Sequence, residues 1–418
     1  MLKLAAILTL VATPAWAQQD PEVESVDRTE DRLEDTLDDT VEDIAPIELR
    51  WEPDLGAEVR AGAGAMRGDT INPGRGAVSL VDGKLHAGIA RGRLSLELPV
   101  DFAHRQTFAG ASLTESRVRG DLRGTFRVTP RLRLTGALGL AAFRKPDWPD
   151  PFQELGPTDR YSHWDRNALV EVVARPVRHQ RIRVRYDYSL AVYRRDPMFD
   201  PIYDPLHLTP WDRDTHRVDA VWRLRRGRWK LRAGAELAQR QYFFTFSGDA
   251  ETGVTHVGTG GEPPNPLLLL RWVKPRVEAD VELAEAIVLT ARYELELVQD
   301  THDGYLSYAG HHPEIEVSWA LPHESELIAR AEAYLRRYGR HSYDETSGQL
   351  DDTHPPLAWG DRRADRIGIG ELSYRLPVAP HWTAIADARL ALRRTNYEYS
   401  IDWNYTNWIA WAGAEYRY

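Results

Sequence analysis

The chain has 418 residues, of which 42% are hydrophobic and 28% charged, and its formal charge is −10. It contains no cysteine, which excludes disulfides, thiolate metal sites, cysteine nucleophiles and a lipoprotein anchor. Beyond the N-terminus no stretch approaches the roughly 18 apolar residues that a membrane helix needs. A membrane-crossing strand, by contrast, is only half apolar and leaves no such run.

Residues 1–17 read as a secretory signal peptide. Lys3 is the positive start, Leu4 to Ala12 the apolar core, and Ala15-Trp16-Ala17 a small-x-small cleavage site before Gln18. Residues 18–48 form an acidic periplasmic segment. Between Asp20 and Asp43 it carries twelve carboxylates against Arg28 and Arg32, so the remainder of the chain is close to neutral. Its apolar residues, Val26, Leu33, Leu37, Val41 and Ile44, recur at helical spacing. It reads as a solvated tether with fluctuating helix, or as a helix that docks on a basic periplasmic partner.

Residues 49–418 are predicted to be one domain of alternating strands. From Leu55 onward the apolar period becomes two, as in Val118-Gly120-Leu122-Gly124-Phe126-Val128 and Ile182-Val184-Tyr186-Tyr188-Leu190-Val192. Later examples are Ile287-Leu289-Ala291-Tyr293-Leu295-Leu297 and Trp382-Ala384-Ala386-Ala388-Leu390-Leu392. Short turns near 90–92, 129–131, 176–180, 226–228, 284–286, 322–325 and 377–381 alternate with longer polar loops. The loops fall near 66–76, 104–115, 144–165, 194–215, 241–266, 299–312, 337–364 and 394–406. Seven turns and eight loops predict sixteen strands, with fourteen or eighteen as alternatives. Asp82-Gly83 could split one strand or bulge it, and Pro275 predicts a register shift.

The last eleven residues, Trp408 to Tyr418, place Trp408, Ala410, Ala412, Ala414, Tyr416 and Tyr418 on one face. A strand so long and apolar at the end of a chain is an aggregation hazard as an edge, but a closed barrel has no edge. The pattern resembles the terminal strand of bacterial outer-membrane β-barrels. With the signal peptide and the short–long connections, the chain resembles that Gram-negative superfamily, and within it the β-barrel porins, some of them linked to polysaccharide secretion. The expected fold is all-β, a closed antiparallel transmembrane barrel of about sixteen strands with both termini periplasmic. The resemblance implies outer-membrane lipid and lipopolysaccharide as surroundings and the barrel-assembly machinery as a partner through the C-terminal strand. A periplasmic partner could meet residues 20–43. It carries over no functional residue and implies no cofactor.

If the apolar rows face lipid, the alternate rows face the lumen, and their charges are segregated. Basic residues come first: Arg117, Arg119, Arg123 and Arg127, then Arg181, Arg183 and Arg185, then Arg217, Arg223 and Arg225. Acids follow: Glu278, Asp280 and Glu282, then Glu294 and Glu296, then Glu314 and Glu316, with Lys230, Arg232 and Glu236 at the changeover. One reading is a water-filled channel with a transverse field that passes polar solutes. The other is an interdigitated network that fills the lumen. The outer loops are rich in aromatics, among them Trp148, Tyr161, Trp164, Tyr203, Trp211, Tyr397, Tyr399 and Trp403. These suit glycan contact, or the interfacial anchoring common to membrane proteins.

No catalytic elbow or metal-binding helix motif is present, and no catalytic or metal residue is assigned. His302 with Asp303, and His311-His312, are read as lying on one outer loop, where a base and its orienting group could sit. The leading expectation is a porin-like channel and not an enzyme. The alternatives are a polysaccharide-export barrel and a rim-located hydrolase. Basic residues alternate along strands without forming a separate patch, so nucleic acid is not expected as a partner.

Overall fold

The computed structural model describes residues 52–68, 74–108, 113–144, 162–193, 212–247, 265–302, 304, 306–342, 362–395 and 405–418. The signal peptide expected at 1–17 and the acidic segment expected at 18–48 lie outside them. The described residues contain sixteen strands and no helix. The first eight are β1 (Glu52–Gly68), β2 (Gly74–Arg91), β3 (Leu94–Thr107), β4 (Leu113–Thr129), β5 (Leu132–Arg144), β6 (His163–Ala174), β7 (Gln180–Tyr193) and β8 (Arg213–Arg226). The second eight are β9 (Trp229–Phe246), β10 (Leu267–Ala284), β11 (Ile287–Asp300), β12 (Tyr308–Ala320), β13 (Glu326–Ser342), β14 (Arg362–Ala379), β15 (Trp382–Thr395) and β16 (Tyr405–Arg417).

Every strand pairs antiparallel with its neighbours in sequence, and β1 pairs with β16, so the sheet closes into a barrel. The closing register runs from Glu58 opposite Arg417 to Arg67 opposite Trp408. Two backbone hydrogen bonds between Ala57 and Tyr418, 2.8 and 3.1 Å, complete it. Small residues make the seam. A Cβ on Gly413 would stand 2.0 Å from the Ala61 carbonyl oxygen, and one on Gly62 would stand 2.4 Å from the Trp411 ring.

Alternation decides which side each residue faces. Along β7 the buried Arg181 and Arg183 interleave with the exposed Ile182 and Val184. Among the described residues, forty large hydrophobic side chains are exposed and thirteen hydrophobic residues are buried. That inverts the arrangement of a water-soluble domain, whose exposed apolar patches stay small, and it matches a wall with hydrocarbon outside. An inward apolar cluster does exist where β9, β10 and β11 approach the long-loop end: Tyr242, Leu268, Leu270, Trp272 and Val298. The Leu267–Leu270 run supplies its inward half from Leu268 and Leu270, which explains why alternation fades there.

Five of the seven short connections, those near 90–92, 176–180, 226–228, 322–325 and 377–381, are built on left-handed residues. Gly92 (φ 61°) and Gly227 (φ 59°) turn without steric cost. His179, His323, Glu324 and His381 hold φ between 57° and 68°, at about 1–2 kcal/mol each for a side-chain-bearing residue.

Three sequence expectations need correction. Asp82-Gly83 neither splits nor bulges β2, because each residue stays in register with both neighbouring strands. The register shift expected in residues 267–283 is present between Leu267 and Leu269, with a second between Glu282 and Ala284, but not at Pro275, which sits outward opposite Ala235. The loop expected at 299–312 is shorter, since β11 runs to Asp300 and β12 starts at Tyr308. Period two continues through Ala309, His311 and Pro313, which polar composition had disguised.

Candidate functional site

The charged inner wall is the candidate site. On β4 the inward row is Glu115, Arg117, Arg119, Asp121, Arg123, Thr125 and Arg127. Arg119 pairs with the buried Asp121 at 3.1 Å. Gly139 stands opposite Asp121 on β5, where a Cβ would meet the Asp121 carboxylate at 1.9 Å. Its missing side chain leaves room for Asp121 beside Asn167 of β6.

On β7 and β8 the inward rows carry Arg181, Arg183, Arg185, Arg213, Arg217, Arg223 and Arg225, against only Asp187 and Asp219. Arg185 is paired within its own strand to Asp187 at 2.8 Å. Asp219 accepts from Arg183 at 3.0 Å and from Arg276 at 2.7 Å. Arg276 lies on β10, two strands away, and stands opposite Gly234 of β9. A Cβ on Gly234 would lie 2.5 Å from the Ala220 carbonyl oxygen and 3.1 Å from Val221 Cγ2, so β8 and β9 leave no room for a side chain there. Arg127, Arg225 and Glu282 are exposed at the short-turn rim.

The changeover falls on β9. Arg217 lies 3.6 Å from Glu236, and Arg232 bonds to Glu278 while lying 3.8 Å from Asp280. Lys230 stands opposite Asp280. Glu278 is 8% exposed and also accepts from Arg292 at 2.5 and 2.8 Å. The chain of pairs then runs Arg292–Glu314 (3.7 Å), Glu314–Arg330 (3.1 Å), Arg330–Glu332 (2.7 Å), and through Arg330–Glu371 (3.3 Å) to Arg389 (3.2 Å). Glu296 is held between Lys274 (2.9 Å) and Arg336 (3.3 Å). Glu294 is buried opposite His312, and Glu316 stands opposite Arg330.

Opposite charges therefore interdigitate around the wall. A residual excess remains, basic on β7 and β8 and acidic on β11 and β12. Sequence alternation identified part of the acids of this network, Glu236, Glu278, Asp280, Glu296 and Glu314 among them, but missed Asp121, Asp187, Asp219, Glu332 and Glu371 and could not show which arginines cross to them. The inward arginines of β13, Arg330 and Arg336, were not singled out at all, although their even numbering puts them in the row of Glu332.

Among the described residues, His312, Glu314 and Glu332 form the one group whose potential metal-ligating atoms lie within 4.8 Å of one another. Their charge is already matched. Arg330 lies between the two carboxylates, and the His312 Nε2 is 3.2 Å from Glu332. The histidine pair expected on a loop is instead split across the wall. His312 points inward, while His311 points outward, its Nδ1 2.6 Å from the Tyr293 hydroxyl. They cannot share one substrate. His302 is in the loop after β11, and Asp303 lies outside the described residues.

Of the aromatics expected in glycan-contact loops, Trp148, Tyr161, Tyr203, Trp211, Tyr397, Tyr399 and Trp403 lie outside the described residues. Trp164 is described and is not in a loop. It belongs to the outward row of β6 with Arg166, Ala168 and Val170, and is 58% exposed. Sequence reading missed the inward aromatics near the same end. Phe143 stacks on His163 (4.4 Å), and His163 on Tyr193 (4.5 Å). Arg213 lies over both Tyr193 and Tyr242, and Arg240 over Trp272. Their parity, inward on each strand, was the available signal.

A closed antiparallel sheet with apolar residues outside and paired charges inside defines a membrane-spanning β-barrel. Among the described residues no helix is long and apolar enough to cross a membrane; the crossing is made by strands. In fold, the chain is similar to OprB of Pseudomonas putida (11% identity, TM-score 0.48, covering 88% of this chain and 94% of that one). It is similar to OccD3 of Pseudomonas aeruginosa (10%, 0.43, 88% and 92%). It is also similar to a loop-deletion form of OmpT, an outer membrane protein of Vibrio cholerae (10%, 0.42, 88% and 99%). No protein-family model matches the chain, and no curated protein matches it. With so little identity, the inner wall has to be read from its own residues.

Proposed function

We propose that this protein is a porin-like channel of the bacterial outer membrane that passes polar solutes along its charged inner wall. One observation carries the reading. Some inward ion pairs stay about a third exposed, among them Arg389 with Glu371 (31% and 32%) and Arg60 with Asp82 (30% and 29%). Side chains on the inside of a closed wall are wetted only by the lumen. A barrel of about sixteen strands is also wide enough to hold water. The arginine excess of β7 and β8 and the carboxylates of β11 and β12 set a transverse field, which would orient dipolar solutes during passage. Arg117, Arg123, Arg181, Arg223, Glu294 and Glu316 are its fixed charges in this reading.

Outer-membrane placement is supported by the export signal read in residues 1–17, by closure, and by the apolar exterior. In this placement the short turns and both termini face the periplasm. Lipopolysaccharide surrounds the long-loop end, the last strand is read by the barrel-assembly machinery, and residues 20–43 meet a periplasmic partner. Planar-bilayer recording tests the channel: discrete conductance steps are expected, and a correctly folded but electrically silent protein would sink the reading. N-terminal sequencing of the membrane-extracted protein tests export, with Gln18 as the expected first residue.

A further inference from the structure

Beside the closing seam, the inner wall carries a carboxylate that takes no part in the ion-pair network. Asp387 points inward from β15, opposite Ser373 of β14 on one side and Trp411 of β16 on the other. It is half-buried, and its carboxylate forms no hydrogen bond or ion pair among the described residues. The nearest inward cations in register are Arg389 on its own strand and Arg375 on β14, opposite Ile385. Arg389 is held by Glu371 at 3.2 Å, and Arg375 stands opposite Glu326 on its other side. A carboxylate placed in the wall with no cation in contact directs its negative potential at the lumen.

The surface beside it is aromatic and apolar. Directly opposed residues in an antiparallel pair have Cβ atoms about 5 Å apart, which sets the Trp411 indole next to the Asp387 carboxylate. Among the described residues only two tryptophans point inward. Trp272 is sealed in the cluster of β9, β10 and β11, with its Nε1 donating to Glu236 at 2.6 Å and Arg240 over its ring. Trp411 is half-buried, and its indole N–H has no partner among the described residues. Glycines of β1 make room for the ring: a Cβ on Gly62 would stand 2.7 Å from the Trp411 Cζ3, and one on Gly64 would stand 2.6 Å from the Trp411 Cα. One side of the ring therefore rests on bare backbone and the other is turned to the lumen. Ile385 opposite Gly413, Ile409 opposite Met66 and Leu80 opposite Gly62 complete an apolar border.

We propose that Asp387 and Trp411 form a lumen-facing subsite for solutes that join an ammonium group to an apolar body. The ammonium sits between the Asp387 carboxylate and the Trp411 ring face, held by a charge-assisted hydrogen bond and by the ring quadrupole. The apolar part of the solute lies against Ile385, Ile409 and Leu80. The same surface disfavours other polar solutes. An anion would meet the Asp387 charge, and a sugar, which needs polar partners all round its ring, finds one carboxylate and Ser373 within an apolar border. The subsite rests on the channel reading, since its solute arrives through the wetted lumen, and it names a class of solute for that channel.

The test uses the full chain in uncharged detergent micelles, with binding followed by saturation-transfer NMR titration. The probes are n-butylammonium, 1-butanol and pentanoate, which share a butyl chain and differ in the polar end, with ammonium chloride and glucose beside them. n-Butylammonium should bind about tenfold or more tightly than 1-butanol and pentanoate, as a charge-assisted contact joined to a cation–π contact implies, and more tightly than ammonium alone. D387N, which keeps the side-chain shape, should remove the preference for n-butylammonium over 1-butanol. W411L should weaken n-butylammonium by about threefold or more with Asp387 intact, and W411F, which keeps a ring face, should retain part of the affinity. Heat-modifiable gel mobility confirms that each variant is folded. Equal binding of the three butyl probes, an unchanged D387N, a W411L that binds as the parent does, or tighter binding of glucose would each overturn the proposal. Bilayer conductance is read separately. A conducting protein without the n-butylammonium preference defeats the subsite alone, and a silent protein that keeps the preference defeats the channel reading alone.

Discussion

Glu278 is where the two halves of the inner wall are joined, and removing its charge is the most informative single change. Its carboxylate is 8% exposed and accepts from Arg232 on β9 and Arg292 on β11. The two arginine side chains are 15% and 19% exposed. Glu278→Gln keeps the volume and one acceptor oxygen but takes the nearest carboxylate from two cations, leaving Arg232 3.8 Å from Asp280 and Arg292 3.7 Å from Glu314. A hydrogen bond between charged groups contributes about 1.5–3 kcal/mol, and because these second carboxylates and the wetted lumen compensate in part, a loss of about 1.5 kcal/mol is expected. Reversible urea unfolding in micelles or liposomes, followed by tryptophan fluorescence, measures it. The control is Glu278→Gln with Arg292→Gln. Taking away one of the two cations should recover at least about 0.5 kcal/mol, the coupling expected of residues in contact. A loss below about 0.5 kcal/mol, or strict additivity in the double variant, would show that the network is decorative and the reasoning wrong.

Three further outcomes are expected. Replacing Arg181, Arg183 and Arg185 together by Gln should move the reversal potential in a salt gradient towards cation preference; an unchanged potential would remove β7 from the conducting wall. Gly139→Leu should drive a side chain into the Asp121 carboxylate and Asn167, at 1.9 and 2.8 Å from the new Cβ. A loss of about 1–3 kcal/mol is typical of overpacking, and urea unfolding would detect its absence. Gly413→Val should obstruct the closing seam, since its Cβ would lie 2.0 Å from the Ala61 oxygen and 2.6 Å from the Gly62 Cα. Loss of the heat-modifiable folded band is expected, and a normal band would mean the seam tolerates side chains.

Much of the fold was legible because a half-buried strand writes its geometry as a period of two. Ile182-Val184-Tyr186 against Arg181-Arg183-Arg185 shows the face of each residue without any contact being known. Legibility failed where the period was kept by unusual residues. His311 and Pro313 continue the outward row of β12, yet a histidine pair beside a proline reads as a loop. Trp164 was lost to a loop in the same way, because polar residues precede it. The inner network was legible in composition but not in connection. Arg276 reaches Asp219 two strands away, and such a path depends on register, which fading alternation near Leu267–Leu270 left undetermined.

The glycines show how the wall divides its tasks. Gly139 and Gly234 are inward; the first vacancy is filled by the Asp121 carboxylate of β4, and the second is closed by the Ala220 carbonyl oxygen and Val221 of β8. Gly62 and Gly413 are taken up by the seam, where two backbones approach too closely for a Cβ. Gly368 and Gly370 are outward with nothing over them. In the first two cases the chain itself explains why a side chain is missing. In the third the chain offers no explanation, because neither conformation nor packing calls for glycine. A strand interior built on two glycines loses stability through their extra conformational entropy, about 0.5–1 kcal/mol each relative to alanine. That cost is borne on the outer face of β14, where Gly368 lies between Ala333 and Leu392 and Gly370 between Ala331 and Leu390.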